Sequence, residues 1–407
     1  MVTKCFSLVE SVLFKNVLRS YGLRPILALQ PNASYSTNST NSNKPICRAS
    51  QITATATIPD ECLHSEATLK QFMSYFPGVI KDIQEAAAIV DPIENGKHVA
   101  KLLEYLAEGG RKHLGMVIPE SYKVLVPDAS EEDIRLSYKM GWFAEVMYDG
   151  LNMIDDLMDN SMTRRNKPCW WTLPENRVTI SNDALIVNFS SLHLFNKYFS
   201  KHKQFQQIIE LHNQSNFQAA VGQWMDVSLN FNSGKEFTIE YYKHHCFNVG
   251  LDIGAIFPVK LAMILAGYTD PEVIERAASF NGDVMYYYLV QDDFIDCFPP
   301  HPDLSMGTDI EKGRIRWLSV SFMERASEAQ KEFFKHHYGK SDKESIEKIK
   351  ELYIEVKLPE LYHQYADEMF NNLMTCIERE PDEKLKKLFV KLMEPVKDSL
   401  RTGGMYW

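Results

Sequence analysis

From about residue 60 onward, apolar positions recur every three or four residues almost without interruption. Val99, Leu102, Leu103 and Leu106 share one helix face at i, i+3, i+4 and i+7, and Ile346, Ile349, Tyr353 and Val356 form a similar stripe. Phe143, Val146, Met147, Leu151 and Ile154 make a third stripe that runs into Asp155, and Met285 to Val290 lead apolar into Asp292. Gly109–Gly110, Pro174, Pro258, Pro299–Pro300 and Pro359 mark turns, while alternating strand-like runs bounded by hairpin signals are missing. The pattern predicts an all-α protein, a single large antiparallel helical bundle over residues 60–400, with no short solenoid repeat.

Composition narrows the function classes. The chain has 407 residues, 45% of them hydrophobic, which suffices for a substantial core and excludes disorder throughout. Its net charge is -10 and no Lys/Arg stripe is interleaved with aromatics, so the expected partners are cations and not nucleic acid. Seven cysteines without a C-x-x-C pair suggest neither a zinc site nor a disulfide framework. No uninterrupted apolar run approaches the roughly 20 residues of a membrane-spanning helix, so the expectation is a soluble protein without an integral membrane segment.

Residues 1–49 stand apart, with six basic residues against one acid, a net +5 that leaves -15 for the remainder. Spaced positive charges among apolar residues from Ser7 to Arg24, then a Ser/Asn/Thr-rich stretch, suit an organellar transit peptide with a mitochondrial address. A bare extension on a cytoplasmic protein fits as well.

The candidate chemistry lies in two D-D-x-x-D clusters, Asp155-Asp156-Leu157-Met158-Asp159 and Asp292-Asp293-Phe294-Ile295-Asp296. Asp155 and Asp159 are i and i+4 on a helix, as are Asp292 and Asp296, so like charges project from one side and repel. Three carboxylates ending an apolar helix call for a cation, and hard oxygen donors suit Mg²⁺, which takes substrate phosphates as further ligands. An isolated acidic helix end is usually just solvated. Two copies, each after an apolar helix and each followed by cations, point instead to a polyphosphate between them. Those cations are Arg164 and Arg165 after the first cluster and Lys312, Arg314 and Arg316 after the second. Tyr148, Trp224, Phe247 and Tyr286 are aromatic candidates for lining an inert cavity in which an allylic cation forms.

These residues resemble the isoprenyl diphosphate synthase family, in particular farnesyl diphosphate synthases. Asp155 to Asp159 with Ser161, Thr163, Arg164, Arg165, Pro168, Cys169 and Trp170 resemble the family's first motif. Gly222-Gln223 with Asp226 resembles its middle helix, and Gln291 to Asp296 followed by Gly307-Thr308-Asp309-Ile310 resembles its second motif. The resemblance implies an isoprenoid-synthase helical bundle with a central cavity, a homodimer, and three Mg²⁺ ions held by the six aspartates. It also implies diphosphate contacts from Arg164, Arg165, Arg314 and Gln291, and a pocket that includes Tyr148, Gly150, Leu151, Gln223 and Phe247.

The departures from the family pattern cluster where a second substrate, isopentenyl diphosphate, is expected. Leu114 stands in place of an arginine, Tyr148 in place of a glutamine, Val249-Gly250 in place of a Lys-Thr pair, and Ser305 in place of a lysine; the C-terminus reads Gly403-Gly404-Met405-Tyr406-Trp407 where the family is basic. Losing one charged phosphate contact costs about 1.5–3 kcal/mol, so several together weaken a second diphosphate severely. This predicts a terpene synthase, a lyase that ionises farnesyl diphosphate to a sesquiterpene and diphosphate, like the insect enzymes derived from the family. Small residues at Gly150 and Leu151 are expected to lengthen the pocket. The alternative is a farnesyl or geranyl diphosphate synthase with isopentenyl contacts moved to Arg111, Lys112 or Lys243, and a silent family member is a third reading that the six retained aspartates oppose.

Overall fold

The computed structural model describes residues 63, 65–90, 94–228, 238–299 and 307–396, all within the unit Ala49–Trp407. The expected transit peptide, Ser305 and the C-terminal Gly403–Trp407 lie outside the described residues. The expectation of an all-α bundle holds. Among the described residues the strands are two dipeptides, Thr163–Arg164 and Lys167–Pro168, paired as a small hairpin.

Helices α1 (Glu66–Ser74), α2 (Phe76–Ala87), α3 (Asn95–Ala107) and α4 (His113–Leu125) lead into α5, Glu131–Met158. Ser130 caps α5 by accepting from the amide of Asp133, and Glu131, Glu132 and Asp133 place negative charge at the positive end of its dipole. Tyr138, Met140, Trp142, Phe143, Ala144, Val146 and Met147 are all buried, so α5 is apolar on most sides through its middle and runs inside the bundle. Trp142 stacks on Phe72 at 4.6 Å and on Phe76 at 4.5 Å, seating the N-terminal helices against it.

After the hairpin come α6 (Ile180–Phe199), which packs along α5, and α7 (Phe205–Ser228). Next is a continuous helical rod, Ile239–Leu265: α8 (Ile239–Cys246), a π-helical segment (Phe247–Ile256) and α9 (Phe257–Leu265). The rod is long and apolar enough to cross a membrane by length and composition, a stretch the sequence expectation had not singled out. Yet 61% of its most apolar window is buried inside the protein, as in a core helix. It packs so closely on α7 that a Cβ on Gly222 would lie 2.1 Å from the Asn248 carbonyl oxygen, which only glycine avoids.

The second central helix is α10, Pro271–Cys297, with Asp270 accepting from the amide of Glu272 and a proline in the first turn. It is followed by α11 (Asp309–Lys312), α12 (Trp317–Arg325), α13 (Glu328–His337), α14 (Lys343–Glu355), α15 (Leu358–Arg379) and α16 (Glu383–Leu392). Pro359 begins a helix, where a missing amide hydrogen costs nothing, whereas Pro258 lies inside the rod, just past the π-helical segment. Phe294 of α10 stacks on Tyr362 of α15 at 3.9 Å, which fixes the second cluster's helix end against the C-terminal helices. The predicted stripes face inward: Val99, Leu102, Leu103, Ile349 and Tyr353 are buried, and Leu106, Ile346 and Val356 half-buried.

Candidate active site

The last turn of α5 carries Asp155 and Asp156, and Asp159 is its C-cap. Negative charge at a helix C-terminus opposes the dipole, so this end needs cations. Arg164, on the first strand of the hairpin, donates from Nη2 to Asp155 at 2.7 Å and from Nε to Asp156 at 2.8 Å, bridging neighbouring carboxylates. Gln223 of α7 donates to the other Asp155 oxygen at 2.7 Å, and Arg314 donates to Asp159. Arg165 takes other partners, its backbone in the left-handed region at the hairpin tip. It donates to Asp149 at 2.9 Å and to the Leu106 carbonyl at 2.5 Å, and lies 3.6 Å from Glu145.

The last turns of α10 carry Asp292, Asp293 and Asp296. Asp293 is buried and one of its oxygens accepts both the Tyr242 hydroxyl at 2.6 Å and the Trp317 amide at 2.7 Å. That gives Asp293 an organising part, whereas Asp292 and Asp296 are half-buried. Arg316 lies 3.6 Å from Asp293, donates to Asp309 at 3.1 Å and reaches Asp226 of α7 at 3.4 Å. Arg314 in turn donates to the Asp226 carboxylate at 2.7 Å and its carbonyl at 2.8 Å. Asp159, Arg314, Asp226, Arg316 and Asp293 thus form one alternating ladder that joins the two helix ends.

The electrostatics follow. Burial, and then the neighbouring Asp159, Asp156 and Asp226 against the opposing pull of Arg164, push the Asp155 carboxyl up to about 6. Burial and Asp309 push Asp292 up to about 6 and Asp296 up to about 7. Burial alone would raise Asp226 too, but Arg316, the hydrogen bond with His245 (2.7 Å) and Arg314 hold it well below the usual carboxylate range. The site therefore holds more negative charge than its own arginines neutralise. Hard carboxylate oxygens short of countercharge are the donor set Mg²⁺ prefers. Among the described residues no three His, Cys, Asp or Glu side chains already converge on one ion position. The first cluster's carboxylates are drawn to arginines instead.

Of the other sequence candidates, Gln223 touches the first cluster directly. Tyr148 is half-buried, its hydroxyl pushed up by burial within the fields of Arg164 and Asp155. Leu151, Phe247 and Gln291 are half-buried. Gly150 corrects an expectation: a Cβ there would lie 3.1 Å from the Asn188 amide nitrogen, so the missing side chain admits α6 and does not lengthen a pocket. Trp224 is 65% exposed, against the expectation that it lines an inert cavity, whereas Tyr286 is buried. Lys112 is not available as a relocated phosphate contact, being buried with its ammonium toward the Leu106 carbonyl (3.4 Å) and Glu145 (3.9 Å). Leu114 is buried, and Val249 and Gly250 sit in the π-helical segment. The sequence had singled out Arg316 as a cation after the second cluster and Asp226 and Asp309 within the motifs, without their partners, and it passed over Tyr242 and His245. Asp226 carried a signal, lying three residues after Gln223 on the same face of α7; a lone histidine or tyrosine carries none.

Comparison with known proteins adds the family. A family model described as polyprenyl synthetase matches residues 96–356. The farnesyl pyrophosphate synthase of Murgantia histrionica is 28% identical over 367 residues, 86% of this chain and 87% of that protein. Farnesyl pyrophosphate synthase 1, mitochondrial, of Arabidopsis thaliana is 30% identical over 306 residues, 71% of this chain and 77% of its own length. The structure of T. brucei farnesyl diphosphate synthase complexed with homorisedronate superposes with a TM-score of 0.73 at 26% identity, covering 80% of this chain and 98% of the other. These names overturn the expectation of a terpene synthase, a lyase forming a sesquiterpene from farnesyl diphosphate alone. The misreading has a physical origin: aspartate clusters that ionise an allylic diphosphate suit both reactions, so the decision rested on a few substituted positions around a second site.

Proposed function

Because the chain belongs to the polyprenyl synthetase family, we propose that it is a prenyltransferase joining isopentenyl diphosphate to an allylic diphosphate, with farnesyl diphosphate as product. The observation that carries this reading is the ladder from Asp159 through Asp226 to Asp293, which sets two carboxylate-rich helix ends in one polar wall. The names of the relatives supply the substrate class.

In this reading Asp155, Asp156, Asp159, Asp292 and Asp296 hold Mg²⁺, with three ions as the family-like complement, and Asp293 positions the α10 end. Bound Mg²⁺ supplies charge neutralisation for the departing diphosphate. The chain's own groups do the rest. Arg164, Arg165, Arg314 and Gln291 serve the diphosphates, and Arg164 and Arg314 favour the charge that builds as the allylic carbon–oxygen bond breaks. The half-buried Tyr148, Leu151, Gln223 and Phe247 border the reacting chain and limit water around the allylic cation. A carbon–carbon bond then forms to the isopentenyl double bond, and a proton is lost.

Two further parts belong to the proposal. Leu185 and Phe189 on α6 and Phe217, Val221 and Trp224 on α7 are exposed, on helices linked by Asn188 and Asn216 at 3.2 Å. We assign this stripe to a homodimer contact. Residues 1–49 serve as a mitochondrial address, supported by their basic character and by the A. thaliana relative's name.

The test is a radiometric assay with Mg²⁺, geranyl diphosphate and labelled isopentenyl diphosphate. Label is expected in farnesyl diphosphate. Hydrocarbon or alcohol released from farnesyl diphosphate alone, with no incorporation of label under any condition, would sink the reading.

A further inference from the structure

Arg165 is enclosed by the protein to a degree that its neighbour Arg164 is not. Its side chain is 17% exposed and Asp149 only 7%. One guanidinium nitrogen donates to the Leu106 carbonyl at 2.5 Å and the other to Asp149 at 2.9 Å, with Glu145 at 3.6 Å. The Gly109–Gly110 turn is folded over the aliphatic part: a Cβ on Gly110 would lie 2.8 Å from Arg165 Cδ, and the Gly110 backbone has a φ of 69°. Lys112 faces the same Glu145, so two buried cations meet two buried carboxylates and cancel.

This neutral cluster borders a narrow cleft of about 30 Å³, lined by Tyr105, Asn152, Asp156, Arg164, Arg165 and Lys167 along with Asp149. The Asn152 amide nitrogen is buried and has no hydrogen-bond partner among the described residues. The donors here suit an anion of phosphate type, but the cleft admits only a water-sized group while Asp149 holds Arg165, so such an anion enters only if that pair opens.

We propose that Asp149 is a specificity-determining residue that occupies Arg165 in place of the second substrate's diphosphate, so that isopentenyl diphosphate binds only by displacing Asp149 from Arg165. The inference rests on the prenyltransferase reading for the identity of that substrate. Asp149 need not touch the substrate; it acts through Arg165. Removing its charge leaves the other groups of the cleft in place and releases a guanidinium toward phosphate.

The experiment is calorimetric titration of isopentenyl diphosphate, and separately of inorganic pyrophosphate, into wild type, Asp149→Ala, Asp149→Asn and Asp149→Asn/Arg165→Ala. Asparagine keeps the size and a hydrogen bond to Arg165, so it guards against misfolding from an unpaired buried cation, and thermal melting checks each protein. The expected result is at least a tenfold gain in affinity for isopentenyl diphosphate in the Asp149 variants, lost in the double variant. In the condensation assay, KM for isopentenyl diphosphate should fall while KM for geranyl diphosphate stays. Unchanged or weaker affinity in a folded Asp149→Asn protein overturns the inference. So does a gain that survives in the double variant, since it then bypasses Arg165. The binding readout needs no turnover, so an enzyme that fails to condense counts against the prenyltransferase reading alone.

Discussion

Asp155, half-buried, and Asp226, buried, are two carboxylates with opposite responses to their surroundings, and each gives a measurable consequence. Asp155, Asp292 and Asp296 have folded-state pKa values of about 6, 6 and 7, above their usual value, so the folded protein binds more protons than the unfolded chain between about pH 4 and 7. Stability from these groups is present at low pH and is lost as pH rises through that window. The melting temperature in EDTA is therefore expected to fall between pH 5 and pH 8, and the increment from added Mg²⁺ to grow over the same interval. Asp226 has a lowered value, so its contribution is present above about pH 4 and is lost only in strong acid. Replacing Asp155 by alanine should lower kcat by roughly 10²–10³-fold, as for loss of one preorganised electrostatic group, with the fold intact by circular dichroism. Unchanged turnover would remove Asp155 from the chemistry. The aspartates were legible because a repeated i, i+4 carboxylate pair at the end of an apolar helix has few inexpensive structural explanations. Asp226 and Arg316 were less so, because their roles come from bonds between helices distant in sequence.

Among the elements, the π-helical segment Phe247–Ile256 and its contact with α7 decide where Gln223 points. Replacing Gly222 by alanine forces a Cβ to within 2.1 Å of a carbonyl oxygen, so α7 must move away from the rod. The expected cost is about 1–3 kcal/mol in urea unfolding, with a loss of activity because the next residue is the one that holds Asp155. An alanine variant with wild-type stability would mean that the close approach is slack. Helix existence here was plain from the spacing of apolar residues. The π geometry was not, since an extra residue per turn across ten mostly apolar positions changes no pattern that periodicity can register. Likewise Gly150 read as an open pocket floor because the sequence does not say that α6 occupies the space its side chain vacates.

For the whole molecule, the outward stripe of Leu185, Phe189, Phe217, Val221 and Trp224 is more apolar than water favours. With the proposed homodimer, Phe217→Glu/Trp224→Glu should halve the mass measured by light scattering while leaving helicity unchanged. A wild-type protein that is already monomeric at micromolar concentration would remove the dimer assignment. Trp224 read as a cavity residue because helical spacing locates a side chain on a face but does not reveal which faces point inward; only the packed bundle does. The all-α class and the bundle were legible for the opposite reason, as sustained three-to-four-residue periodicity over some 340 residues suits little else.

The contacts of Asp226 with Arg314 and Arg316 carry one more consequence. A single carboxylate on α7 meets the arginine that serves each of two carboxylate-rich helix ends 137 residues apart in sequence. A ligand that draws Arg314 off Asp159 shifts the balance at this hub and therefore the grip of Arg316 on Asp293. Occupancy at one end and occupancy at the other are then thermodynamically linked, and by reciprocity each changes the affinity of the other by the same factor.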